Sequence, residues 1–182
     1  MFLSVSYLSE LITMTIEKFF KKYPFWQPII IVLAALATRL IGLGWPYGDY
    51  DEGVYTATIR SLAQGLPLYS KTYDSQGPLF FYLGEVFYKI SATIVSLRLI
   101  PVICSLVIIY LAFLLVKKYI GIVAAIFASL YLTFDTAFLT ISRTFQIDIP
   151  WLAFSFGAFY FLLKFDEGQN GWDIFSLPYF LL

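Results

Sequence analysis

Histidine is absent from this chain of 182 residues, and cysteine occurs once. Without histidine the commonest metal ligand and the commonest general base are both missing, so carboxylates must carry any acid–base chemistry. Cys104 lies alone inside an apolar run, so one chain can form neither a disulfide nor a thiolate metal site. Charge is scarce as well: 13% of residues, twelve basic against twelve acidic. That balance points to neither nucleic acid nor an acidic partner. The spacings of a glycine-rich phosphate loop, a paired-cysteine zinc site and a Gly-x-Ser-x-Gly elbow do not occur. Nor do GxxxG pairs within the apolar runs, or an internal repeat.

What remains is grease. Sixty per cent of the residues are hydrophobic and 20% aromatic, well above a soluble domain. The chain therefore reads as an integral, multi-pass membrane protein. Four segments are apolar enough to cross, at about 28–45, 99–116, 120–134 and 149–165, the third continuing through "DTAFLTIS" at the interface. Residues 1–13 do not form a signal peptide, and Met14, ahead of the basic, aromatic "TIEKFFKKYPFWQP", is a candidate start. At the other end "IFSLPYFLL" reads as the first half of a further span.

The stretch "GPLFFYLGEVFYKISAT" decides the topology. Glu85 and Lys89 stand four apart, a pair on one helix face, and Pro78 suits a first helical position. About sixteen residues rise only about 24 Å, short of a core about 30 Å thick. An interfacial helix over 78–93 fits better. Laid flat, it leaves Lys18, Lys21, Lys22, Lys117, Lys118 and Lys164 on one side, which the positive-inside rule makes cytoplasmic. Asp49, Asp51, Glu52, Asp74, Arg143 and Asp148 then gather on the external face. The expected architecture is all-α: about four transmembrane helices plus two amphipathic juxtamembrane helices (51–64 and 78–93) in an external loop, 46–97. Residues 1–27 form a cytoplasmic N-terminal segment, 28–165 the transmembrane module, and 166–182 a cytoplasmic loop with the start of the further span.

Local chemistry leaves alternatives. In "DYDEGVYTATIRSLAQG", Asp51 suits an N-cap for a helix starting at Glu52, and Gly65 suits its C-terminal end. Acids at a helix start are usually caps, yet an ionisable group at a membrane boundary is a functional candidate. Asp148, with Pro150 behind it, is equally an ordinary helix start. Arg143 and Arg39 either snorkel to headgroups or bind phosphate.

In order along the chain come an Asp–Glu pair after the first span, Tyr55 three residues beyond Glu52, and Arg60 on the same amphipathic helix. "GPLFFYLGEVFYKI" follows, then "LRLIPVICSLVIIYLAFLLVKKYIG", then Arg143 with Asp148 five residues on and Pro150. Together, over about 29–165, they resemble the N-terminal part of GT-C-fold glycosyltransferases that use polyprenyl- or dolichyl-phosphate sugars. Protein O-mannosyltransferases and lipid A aminoarabinose transferases are the most similar branches. The resemblance implies sugar transfer from a lipid-phosphate carrier to a protein, glycan or lipid hydroxyl on the extracytoplasmic face of the plasma membrane. It implies that Asp51 is the general base, with Glu52 and Asp148 as further catalytic acids. Tyr55, Arg60, Arg143 and Arg39 are the substrate-binding candidates, Arg143 facing the leaving phosphate. A divalent metal stays open: where relatives carry Lys-Pro-Pro, or an acid just ahead of the flat helix, this chain reads "DSQGPL". Ser75 is a poor ligand there and Gln76 lacks the lysine charge. A transporter or flippase-like protein binding a cation on its external acids is the competing class, although transporters place such groups at the midplane. A truncated, inactive remnant is the third reading.

Overall fold

The computed structural model describes residues 26–45, 49–72 and 74–168. The basic N-terminal segment with Met14 and its lysines, and the further span beginning in 169–182, lie outside the described residues. Among the described residues every regular element is a helix, and there is no strand. The helices are α1 (Trp26–Leu40), α2 (Tyr50–Ala63), α3 (Pro78–Ile90), α4 (Ile94–Tyr119), α5 (Ile122–Phe134), α6 (Thr136–Ile141) and α7 (Asp148–Gly168). One of them, α4 with 26 residues, is clearly long and apolar enough to cross a bilayer; α1 and α5 are shorter apolar helices.

The ends of these helices follow local chemistry. Pro78 opens α3 at a position where a missing N–H costs nothing. Glu85 and Lys89 pair at 2.7 Å one turn apart. Gly65, at φ +85°, ends α2: its N–H reaches the Leu62 carbonyl at 2.8 Å, and the Leu66 N–H reaches Ser61 at 3.1 Å. Those two bonds make a Schellman closure, which needs a residue that tolerates positive φ. Asp135 separates α5 from α6, its Oδ1 accepting the Phe138 N–H at 2.8 Å.

The start of α2 differs from the sequence expectation. Its N-cap is Asp49, not Asp51: Asp49 Oδ1 accepts the Glu52 N–H at 3.1 Å. Asp51 sits inside the first turn and is exposed. Both acids suit the sequence pattern; a tertiary contact decides between them, because the Gln146 side-chain amide donates to Asp49 Oδ2 at 2.6 Å.

Two packing centres position the site. Tyr55, Ile59 and Leu62 of α2, Phe80 and Phe81 of α3, Leu97 and Ile100 of α4 and Phe145 form one core. Phe80 stacks on Phe145 with ring centroids 4.6 Å apart. Gly84 lets α3 approach α2, since a Cβ there would meet Ile59 Cδ1 at 2.0 Å. Ile31, Ala35, Ile109, Phe113 and Ala125 form the second core, joining α1, α4 and α5.

The ends of the bundle differ in charge. Arg98, in the first turns of α4, donates to the carbonyls of Leu43 and Trp45, just past α1. The chain therefore leaves α1 and enters α4 at the same end, with α2 and α3 between. At the other end Lys118 of α4 and Lys164 of α7 line one small pocket.

Candidate active site

Glu52 and Arg98 are the best-buried ion pair among the described residues, their side chains 6% and 2% exposed. Arg98 Nε donates to Glu52 Oε1 at 2.7 Å and Nη2 to Oε2 at 2.5 Å, a two-pronged fit of guanidinium on carboxylate. Arg98 Nη1 takes the Leu43 and Trp45 carbonyls at 2.6 and 2.7 Å. Glu52 Oε1 also accepts the Phe145 N–H at 2.7 Å. A charge withdrawn from water is tolerable only with such partners. One carboxylate thus ties the start of α2, the start of α4 and the loop between α6 and α7.

That clamp sets the neighbouring carboxylates. Asp51, next to Glu52, is exposed, and so is Asp148 at the start of α7, beyond the clamped Phe145. Tyr55 lies one turn after Asp51, its side chain packed edge-on against Phe80 and Phe81 at 5.4 and 6.0 Å. Burial holds the Tyr55 phenol above its usual pKa, and the charges of Asp51, Asp74 and Asp148 raise it further, while hydrogen bonding to the Gln76 side chain works the other way. Three carboxylates from three parts of the chain therefore act on one phenol. Asp74 is fixed by Thr58, whose hydroxyl donates at 3.1 Å, and by the backbone N–H groups of Ser75 and Gln76 at 2.7 and 3.3 Å.

The structure thus gathers Asp51, Tyr55 and Asp148, and spreads the remaining sequence candidates. Glu52 is enclosed, with both oxygens occupied. Arg143 donates through Nη2 to the Ile41 carbonyl at the end of α1. Arg39 is fully buried, its Nε donating to Ser105 Oγ at 2.8 Å and its Nη groups to the Ala35, Leu132 and Thr133 carbonyls at 3.2–3.4 Å. It also caps carbonyls at the C-terminal end of α5 and lies 5.4 Å over the Phe138 ring. Arg60 is nine residues from Asp51, hence about half a turn out of phase and about 13 Å along the helix. It faces a different cavity, with Asp49, Glu52 and Thr56.

Sequence reasoning placed Asp74 on the external face without giving it a role, and missed Arg98 and Gln146. A lone arginine in an apolar run, "SLRLIPV", was the signal for a buried acidic partner. For a divalent metal, no group of three His, Cys, Asp or Glu side chains among the described residues could share an ion. No step is therefore assigned to one.

Comparison with curated proteins and with solved structures gives no match. The family model described as "Dolichyl-phosphate-mannose-protein mannosyltransferase" matches residues 75–181, more than half of the chain. The match takes in α3, the Arg98 entry to α4, the loop carrying Arg143, and Asp148 at the start of α7. An apolar helical bundle with exposed carboxylates at one end thus belongs to the dolichyl-phosphate-mannose-protein mannosyltransferase family of GT-C type, integral membrane glycosyltransferases that use dolichyl-phosphate sugar donors.

Proposed function

We propose that Asp51 is the general base in transfer of mannose from the dolichyl-phosphate carrier to a hydroxyl of a protein acceptor on the extracytoplasmic face. The acceptor oxygen attacks the anomeric carbon and loses its proton to Asp51. The bond from that carbon to the carrier phosphate breaks, and dolichyl phosphate leaves with the bonding pair. A single displacement of this kind inverts the anomeric centre. What supports the assignment is that Asp51 is exposed beside the enclosed Glu52, one turn ahead of Tyr55, whose phenol pKa is raised by burial and by the charges of Asp51, Asp74 and Asp148. Of the neighbouring acids Asp51 and Glu52, only Asp51 is open to a substrate; Glu52 already holds Arg98 and Phe145.

In this reading Glu52 positions Asp51 and Asp148 relative to one another. Tyr55 stays protonated near neutrality and donates to a sugar or acceptor oxygen, and Asp148 shapes the acceptor side. Arg143 neutralises the leaving phosphate, whose growing charge is best stabilised by a fixed cation in a water-poor site. Arg39, with its donors spent on protein carbonyls, holds α1 to α4 and α5 and does not touch substrate.

The module spans 28–165, with α1, α4, α5 and α7 crossing and α2 and α3 lying along the outer leaflet. Its N-terminus is cytoplasmic in the plasma membrane. Support comes from the Glu85–Lys89 pair on one face of α3, which suits an interfacial helix, and from the meeting of the α1 and α4 ends at Arg98.

The test is transfer of labelled mannose from dolichyl phosphate mannose to a serine- and threonine-rich peptide, in membranes containing the full protein. Asp51→Asn is expected to lower the rate at least a hundredfold, the usual weight of a general base, with unchanged membrane insertion. Wild-type rates in that variant would remove the assignment.

A further inference from the structure

On the face of α2 turned away from Tyr55 lies a separate cavity of about 340 Å³. Gly53 and Ala57 leave the room; Asp49 stands at one end, Arg60 at the other, and Ile94 closes the apolar side. The Thr56 hydroxyl in its wall is buried without a hydrogen-bond partner among the described residues. A buried hydroxyl left this way costs about 1–3 kcal/mol, which a ligand oxygen would recover. Arg60 is exposed and makes no ion pair among the described residues. Glu52, although it lines the cavity, is neutralised by Arg98. The cavity therefore offers one available cation, one carboxylate and one hydroxyl.

Placement turns that set into a ligand class. Asp49 and Arg60 are eleven residues apart, nearly in phase on the helix, so a carboxylate and a cation border one cavity. That pairing suits a zwitterion, its phosphate toward Arg60 and its ammonium toward Asp49. Asp49 keeps lone pairs beyond those used by Glu52 N–H and Gln146. The cavity also lies at headgroup height if α4 spans: Ile94 is the first residue of that helix, and Ile90 and Val95 beside it are exposed apolar side chains.

We propose that this cavity binds the zwitterionic headgroup of an aminoethyl-phosphate lipid of the surrounding leaflet. Arg60 holds the phosphate, Asp49 the ammonium, and Thr56 an ester or phosphate oxygen. It is a lipid site half a turn of helix away from Asp51, so it neither uses nor requires the sugar donor. The inference rests on α4 as a span, not on Asp51 as a base, and its readout is lipid retention.

The full chain, purified in detergent, is mixed with equal amounts of phosphatidylethanolamine, phosphatidylcholine and phosphatidylglycerol, and retained lipid is read by native mass spectrometry. Phosphatidylethanolamine is expected to be retained about tenfold over the other two, since one lacks the ammonium N–H donors and the other the ammonium itself. Arg60→Gln and Thr56→Val should each reduce that preference severalfold, and millimolar O-phosphoethanolamine should compete only in large excess over the lipid. Equal retention of all three lipids, or a preference that survives both substitutions, overturns the proposal. Displacement of the lipid by a serine- and threonine-rich peptide overturns it in favour of an acceptor subsite, and competition by O-phosphoethanolamine at the lipid's own concentration in favour of a soluble ligand.

Discussion

Replacing Arg98 by alanine strands three groups at once. Glu52 loses both prongs of its partner, and the Leu43 and Trp45 carbonyls lose the donor that holds them. Removing one member of a buried pair typically costs about 3–5 kcal/mol, because the remaining charge has no water to turn to. The Arg98 and Glu52 side chains are 2% and 6% exposed, so the discount for solvent screening is small. At about 2–4 °C per kcal/mol for a chain of this size, the midpoint should fall by about 6–20 °C. The assay is thermal unfolding in detergent, followed by helical circular dichroism. Arg98→Lys should fall between, since an ammonium keeps the charge but lacks the fork. Glu52→Gln should cost less than Glu52→Leu, because the amide oxygen still accepts the Phe145 N–H. A shift below about 3 °C for Arg98→Ala would refute the reasoning, leaving the clamp as geometry without energetic weight.

Two further outcomes test the packing and the site. Gly84→Ala puts a methyl group 2.0 Å from Ile59 Cδ1 and should destabilise by about 1–3 kcal/mol; adding Ile59→Val removes that carbon and should restore part of the loss, read as melting temperature. Tyr55, followed by carbon-13 NMR of ring-labelled tyrosine, should titrate above 10 in the wild type and at lower pH in Asp51→Asn, because one of the charges that holds it up is gone. The sign for stability follows: a raised phenol pKa leaves stability unchanged below about pH 10 and reduces it as pH rises beyond, where the unfolded state ionises first. An unmoved titration in Asp51→Asn would separate Asp51 from Tyr55.

Much of the fold was legible because its signals are local. Pro78 and Gly65 mark the start of α3 and the end of α2 through backbone chemistry alone, and the Glu85–Lys89 spacing is a helix-face relation. The cap of α2 was misread because Asp49 and Asp51 both suit the pattern, and the deciding contact, Gln146, lies 97 residues away. Distance along the chain also hid the clamp: Arg98 reaches Glu52 across 46 residues, so neither stretch implies the other. That is why Glu52 read as a catalytic acid when its carboxylate is already committed. Arg60 is a different case. Its nine-residue offset from Asp51 was countable in the sequence, and helical phase alone places the two on opposite faces.

The account depends most on residues 41–93 returning to one side of the membrane, so that the acids of α2 and α7 face a common space. Cysteine at Ser75, which is exposed in the turn ahead of α3, tests this directly in a Cys104→Ser background with a membrane-impermeant thiol reagent on intact cells. Labelling before permeabilisation is the predicted result. Labelling that requires permeabilisation would contradict the account.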